Sequence, residues 1–202
     1  MALGTRRSAH RSVVVALLGI LVVVLSACTG RGGGQLPPNV PAFNGAASFG
    51  FSFSCQRSSK STSPNPPTGR LAIELAYTDH GTNPLGAGFS IHGTVDTLDP
   101  VLESAICIGQ NPPPDGSTLT FLGRYRTTTS VPAGFPKQCA TATSTCRFEV
   151  TVRDNDLNRA PSPGDYFSIM LSTGTVVSSQ LDPATVFYTR AGLLSDGNLT
   201  VD

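Results

Sequence analysis

Five cysteines, three histidines and an acid-rich stretch around positions 154–165 hold the residue types in this 202-residue chain that could do chemistry. Thiolates are nucleophiles and metal ligands, imidazole exchanges a proton near neutrality, and carboxylates gather hard cations. The cysteines stand at 28, 55, 107, 139 and 146. The last four are spaced by 52, 32 and 7 positions, which is not the paired CxxC-type spacing of a zinc site. A catalytic thiol would need a partner histidine and a reason to stay reduced. Cys55, Cys107, Cys139 and Cys146 therefore read as structural disulfides. Of the three pairings that four cysteines allow, Cys55–Cys107 with Cys139–Cys146 is preferred. Loop entropy values the short ring at about 2.5 kcal/mol and the long one at about 4 kcal/mol.

His80 and His92 are the histidines beyond the first 27 residues. His80 falls in Asp79-His80-Gly81, where Asp and Gly already explain a turn. His92 alternates with Phe89, Ile91 and Val95 and is expected on the opposite face from them. A hydrolase built on either histidine would need a serine or acidic neighbour, and no GxSxG elbow is present. Asp154, Asn155, Asp156 and Asp165 could meet at one end of a hairpin and hold a cation such as calcium, giving a cation-stabilised adhesion-like domain. Asp and Asn also populate turns for backbone reasons alone, and the EF-hand order of ligands is missing. Phe121 and Tyr125 alternate with Arg124 and Arg126, which reads as core on one side and solvated face on the other. No catalytic residue, metal ligand or cofactor is assigned.

Cys28 has a different context. Arg6, Arg7 and Arg11 precede the apolar run from Val13 to Leu25, and Leu25-Ser26-Ala27-Cys28 ends it. A basic start, an apolar segment and small residues before a cut form an export signal. The run is shorter than the roughly 20 apolar residues a bilayer span needs. The order Leu-Ser-Ala-Cys resembles the bacterial lipobox, which implies cleavage before Cys28 and lipid on its sulfur. Two or three acyl chains, at about 0.8 kcal/mol per buried CH₂, anchor stably where one does not. Loss of the three leader arginines from the 14 basic side chains leaves 11 against 13 acids, turning a net +1 into −2. Such a chain is not a polyanion-binding protein, and nucleic acid is not an expected partner.

These residues must be positioned by the remaining sequence. Residues 28–45, with Gly30, Gly32, Gly33, Gly34, Pro37, Pro38 and Pro41, read as a flexible tether spanning roughly 20–25 Å. Residues 46–202 have single-domain length. Within them Phe49, Phe51, Phe53 and Cys55 alternate, as do Leu71, Ile73, Leu75 and Tyr77, and Phe148, Val150 and Val152. Further strands are expected at Phe89–Val95, Ala105–Ile108, Thr118–Arg126, Tyr166–Leu171, Val186–Thr189 and Gly197–Val201. Gly-, Pro- and Asp-rich turns separate them. The expected fold is all-β, an antiparallel sandwich or flattened barrel of about 8–10 short strands.

The order of segments also resembles a secreted bacterial β-domain labelled post-COAP-like. Ala47-Ser48-Phe49-Gly50-Phe51, Ile91-His92-Gly93-Thr94-Val95 and Gly164-Asp165-Tyr166-Phe167-Ser168-Ile169 carry the resemblance, with Gly197-Asn198-Leu199-Thr200-Val201 at the end. The lipobox is similar to those of actinobacterial lipoproteins. Together they imply a lipid-anchored, extracytoplasmic module with a binding or envelope-structural role. Its expected partners are the membrane, through Cys28, and a cell-envelope protein or polysaccharide.

Overall fold

The computed structural model describes residues 28–57, 69–96, 117–155, 164–177 and 180–201. Eleven strands occur among them: β1 (Cys28–Leu36), β2 (Ala47–Arg57), β3 (Gly69–Asp79), β4 (Phe89–Thr94), β5 (Thr118–Thr127), β6 (Arg147–Arg153), β7 (Tyr166–Ser172), β8 (Val176–Val177), β9 (Gln180–Leu181), β10 (Val186–Leu193) and β11 (Asp196–Val201). Nine build one antiparallel sheet in the order β10-β7-β6-β5-β4-β3-β2-β1-β11, and β8 with β9 forms a small hairpin. The fold is all-β, as the alternation predicts. It is one curled sheet forming a half-barrel, with its core inside the curl.

Alternation makes the inner face. Phe49, Phe51 and Phe53 of β2, Ile73, Leu75 and Tyr77 of β3, and Phe148, Val150 and Val152 of β6 are buried together. The curl brings distant strands into contact: Phe49 stacks on Phe167 of β7 with ring centroids 3.7 Å apart, although four strands separate them in the sheet. The edge strands converge at one corner. Only Leu194 and Ser195 join β10 to β11, which lie at opposite edges. The Leu194 amide bonds the Asp165 carbonyl at 2.8 Å and the Ser195 amide bonds the Gln35 carbonyl at 2.9 Å. A flat sheet could not make that connection, so the short loop enforces the curl.

The tether expectation is corrected. Residues 28–36 are not a linker but a strand inside the sheet, paired with β2 from Cys28↔Cys55 to Leu36↔Ala47 and with β11 from Gly30↔Val201 to Gln35↔Asp196. The glycines serve close packing. A Cβ on Gly30 would stand 2.4 Å from Leu119 Cδ2, and one on Gly34 2.4 Å from the Asp196 carbonyl oxygen. Leu36 and Phe43 are core residues, so the folded domain takes in residues 28–45 rather than starting at 46. The expected strand at Ala105–Ile108 lies outside the described residues.

Candidate functional site

On the outer face, β4 and β5 meet a loop that carries the Cys139–Cys146 disulfide. The register sets His92 opposite Arg126 and Thr94 opposite Arg124. Period two puts these four side chains on the solvent side while Ile91 and Tyr125 turn inward. The expectation for Phe121, Arg124, Tyr125 and Arg126 is met: Phe121 and Tyr125 are buried, Arg124 is half-buried and Arg126 is exposed.

The disulfide has an S–S distance of 1.97 Å and spans seven positions, confirming one expected pair. Cys139 leaves a short 3-10 turn over Lys137–Ala140. The Ser144 amide bonds the Thr141 carbonyl at 3.1 Å, and the Cys146 amide bonds Ser144 Oγ at 3.0 Å. Arg124 donates to the Ser144 carbonyl, fastening the loop to β5. A cleft of about 580 Å³ opens between this loop and the two strands. His92, Thr94, Arg124 and Arg126 form one wall, with Thr143 and Thr145 opposite.

Asp96 sets the electrostatics beside it. It is buried, with Arg147 Nε 2.6 Å from Oδ2 and Arg124 Nε 3.9 Å from Oδ1. Two guanidiniums thus approach one carboxylate. His92 Nε2 lies 2.9 Å from Glu74 Oε2 on β3.

His80 follows the end of β3, and its Nε2 lies 2.8 Å from Ser48 Oγ on β2, at an exposed position. Its neighbour Asp79 turns the other way into the core. Arg190 Nη1 stands 3.1 Å from Asp79 Oδ1, and the Tyr188 hydroxyl donates to Asp79 Oδ2 at 2.7 Å. Tyr77 bonds Tyr188 in turn, and Arg190 also bonds the Pro37 and Gly45 carbonyls. Burial pushes the Tyr77 and Tyr188 phenols above their ordinary range. This buried network clamps the 37–45 loop. Sequence reading missed it, although Arg190 stands two residues from Tyr188 and therefore on the same strand face.

Two further acids depart from expectation. Glu149, which alternation with Phe148, Val150 and Val152 puts on the face away from the core, is nonetheless buried beneath β9, where its Oε2 accepts the Leu181 amide at 3.1 Å. Desolvation raises its pKa, and that hydrogen bond only partly offsets the rise. Asp165 was a candidate cation ligand with Asp154, Asn155 and Asp156. Its Oδ1 accepts the Asn155 amide at 3.0 Å and its Oδ2 the Leu199 amide at 2.7 Å. The carboxylate ties the β6–β7 turn to β11, with both of its oxygens serving backbone amides. Asp154 is buried, with its amide on the Ser117 carbonyl, and Asp156 lies outside the described residues. Among the described residues, no three His, Cys, Asp or Glu side chains group to hold a metal ion.

Cys55 is disulfide-bonded, and Cys107 lies outside the described residues. Cys28 is buried at the start of β1. No described helix is long and apolar enough to cross a membrane. No family model, curated protein or solved structure matches the chain.

Proposed function

We propose that the protein is an exported, lipid-anchored module of the bacterial cell envelope whose β-domain binds a ligand rather than catalysing a reaction. The observation that carries this reading is Leu25-Ser26-Ala27-Cys28 at the end of an arginine-led apolar run. Disulfides at Cys139–Cys146 and at Cys55 support it, because such bonds persist in oxidising, extracytoplasmic surroundings. The anchor places a demand on the fold. The Cys28 side chain is buried, and a thioether-linked lipid requires its sulfur to leave the core. Cys28 sits two residues before the β1–β11 register begins at Gly30, so it can turn outward while the doubly paired part of β1 stays in place. Labelled palmitate fed to cells making the full chain tests the anchor. Incorporation that disappears in Cys28→Ala supports it, and label retained in that variant sinks it.

The Ser48–His80 contact supports a second reading, a cell-envelope hydrolase in which His80 activates Ser48. The pair is exposed, and among the described residues no acid bonds the second ring nitrogen of His80 to orient it. His92 is engaged by Glu74 and is separate from Ser48. A fluorophosphonate probe discriminates the readings. Absence of label favours the binding module, whereas label lost in Ser48→Ala establishes the hydrolase.

A further inference from the structure

We propose that the cleft between β4, β5 and the disulfide loop binds an anionic sugar, taking its carboxylate or phosphate on Arg126 and Arg124 and its hydroxyls on the threonines opposite. The inference rests on the reading of the protein as a binding module and assigns that module a ligand class. The cleft has the volume of small-molecule sites, which commonly run to about 300–1,000 Å³. Its lining contains two guanidiniums and no carboxylate. Arg124 is half-held by Asp96 and the Ser144 carbonyl, which fixes its position before any ligand arrives. Arg126 is exposed, and no ion pair to it is recorded among the described residues. A guanidinium fork matches a planar carboxylate or a phosphate in two parallel hydrogen bonds.

The opposite wall selects what surrounds the charge. Thr143 and Thr145 are exposed and offer hydroxyls that both donate and accept. Val95, Ala142 and Tyr125 supply apolar surface between these polar groups, against which the carbon face of a sugar ring can lie. A ring bearing several hydroxyls and one oxyanion satisfies both walls. The disulfide and the Ser144 hydrogen bonds hold the threonine wall at a fixed distance from the arginines, so little ordering is left for binding to impose.

Calorimetric titration of the detergent-solubilised full chain tests this with four probes: digalacturonate, glucose 6-phosphate, maltose and inorganic phosphate. The expected result is that at least one of the two acidic sugars binds at least about tenfold more tightly than both maltose and inorganic phosphate, the scale of a charged hydrogen bond. Whether digalacturonate or glucose 6-phosphate leads identifies the charge as carboxylate or phosphate. Arg126→Ala should weaken the preferred sugar about tenfold. Arg126→Lys should restore only part of the loss, and Arg153→Ala, at an exposed arginine outside the cleft, should leave the affinity unchanged. Equal binding of maltose overturns the role of charge, and equal binding of inorganic phosphate overturns the role of the sugar. Absence of binding by both acidic sugars, or an unchanged affinity in Arg126→Ala with native circular dichroism, overturns the site. Because palmitate incorporation is scored separately, failure of the cleft and failure of the anchor are distinguishable. Cleavage of digalacturonate during titration would refute the non-catalytic role while leaving the cleft in place.

Discussion

At the scale of single residues, two buried polar groups make opposite predictions. Asp79 and Arg190 form an ion pair almost wholly out of water. Removing one member of such a pair strands the other, at about 3–5 kcal/mol. Arg190→Met should therefore lower the unfolding free energy obtained from urea titration by an amount of that size, with the Asp79 charge left without its counter-ion and the Pro37 and Gly45 carbonyls left without that donor. The Tyr125 hydroxyl is also buried, yet it has no hydrogen-bond partner in the described structure, and burial raises its pKa further from neutrality. Tyr125→Phe should then be within about 1 kcal/mol of neutral or stabilising, because a desolvated hydroxyl without a partner is a cost. A strong loss on Tyr125→Phe would show that the hydroxyl is served by something in the native protein. Glu149 adds a pH dependence. Its folded pKa is raised, so the folded state holds the proton more tightly than the unfolded chain does. Stability from this group is complete below the unfolded carboxyl range and is lost as pH rises through the folded value. Glu149→Gln keeps an acceptor for the Leu181 amide and should raise the melting temperature at neutral pH, with the advantage shrinking in acid.

At the scale of elements, alternation was the legible signal and glycine the misleading one. β2, β3 and β6 could be read residue by residue because one face is buried and the other is wet, which is the situation that period two encodes. β1 could not. Its glycines leave no side-chain pattern, and composition alone made 28–45 look like a linker. What makes it a strand is the need of β2 and β11 for a partner with little bulk, a tertiary requirement absent from local sequence. Gly34→Ala should therefore destabilise the whole domain, since the clash is with the Asp196 backbone of the paired strand, which cannot swing aside as a side chain can. Overpacking of this kind costs about 1–3 kcal/mol, measurable by urea unfolding, whereas the same change in a linker would be silent. The cleft was half legible. Arg124 and Arg126 were visible as a solvated face, and the Cys139–Cys146 ring as a local closure. Their juxtaposition depends on Asp96 and on the Arg124 bond to the Ser144 carbonyl, which no spacing announces.

At the scale of the molecule, the position of β1 changes what the proposed anchor at Cys28 would mean for the domain. A tether would hold it away from the bilayer on a mobile chain; under the anchor proposed above, a strand starting at Cys28 would hold the sheet itself against the surface. Arg31 separates the two pictures. It is the one basic residue between Cys28 and Phe43, and its side chain is exposed while its backbone lies opposite Ser52 on one side and Thr200 on the other. A protease must draw several residues of extended chain into its cleft, so cutting after Arg31 requires β1 to leave both neighbours. Opening of a strand paired on both sides approaches the free energy of global unfolding, while a linker opens for almost nothing. Trypsin added to membranes carrying the protein should then produce no fragment beginning at Gly32, and should do so readily once urea has unfolded the sheet. Rapid native cleavage there, with release of the domain from the membrane, would restore the tether and remove β1 from the fold. Protection would tie the proposed anchor point at Cys28, the glycine-rich strand and the corner where Ser195 meets Gln35 into one cooperative unit, because β1 pairs with β2 and β11 and joins Cys28 to the core.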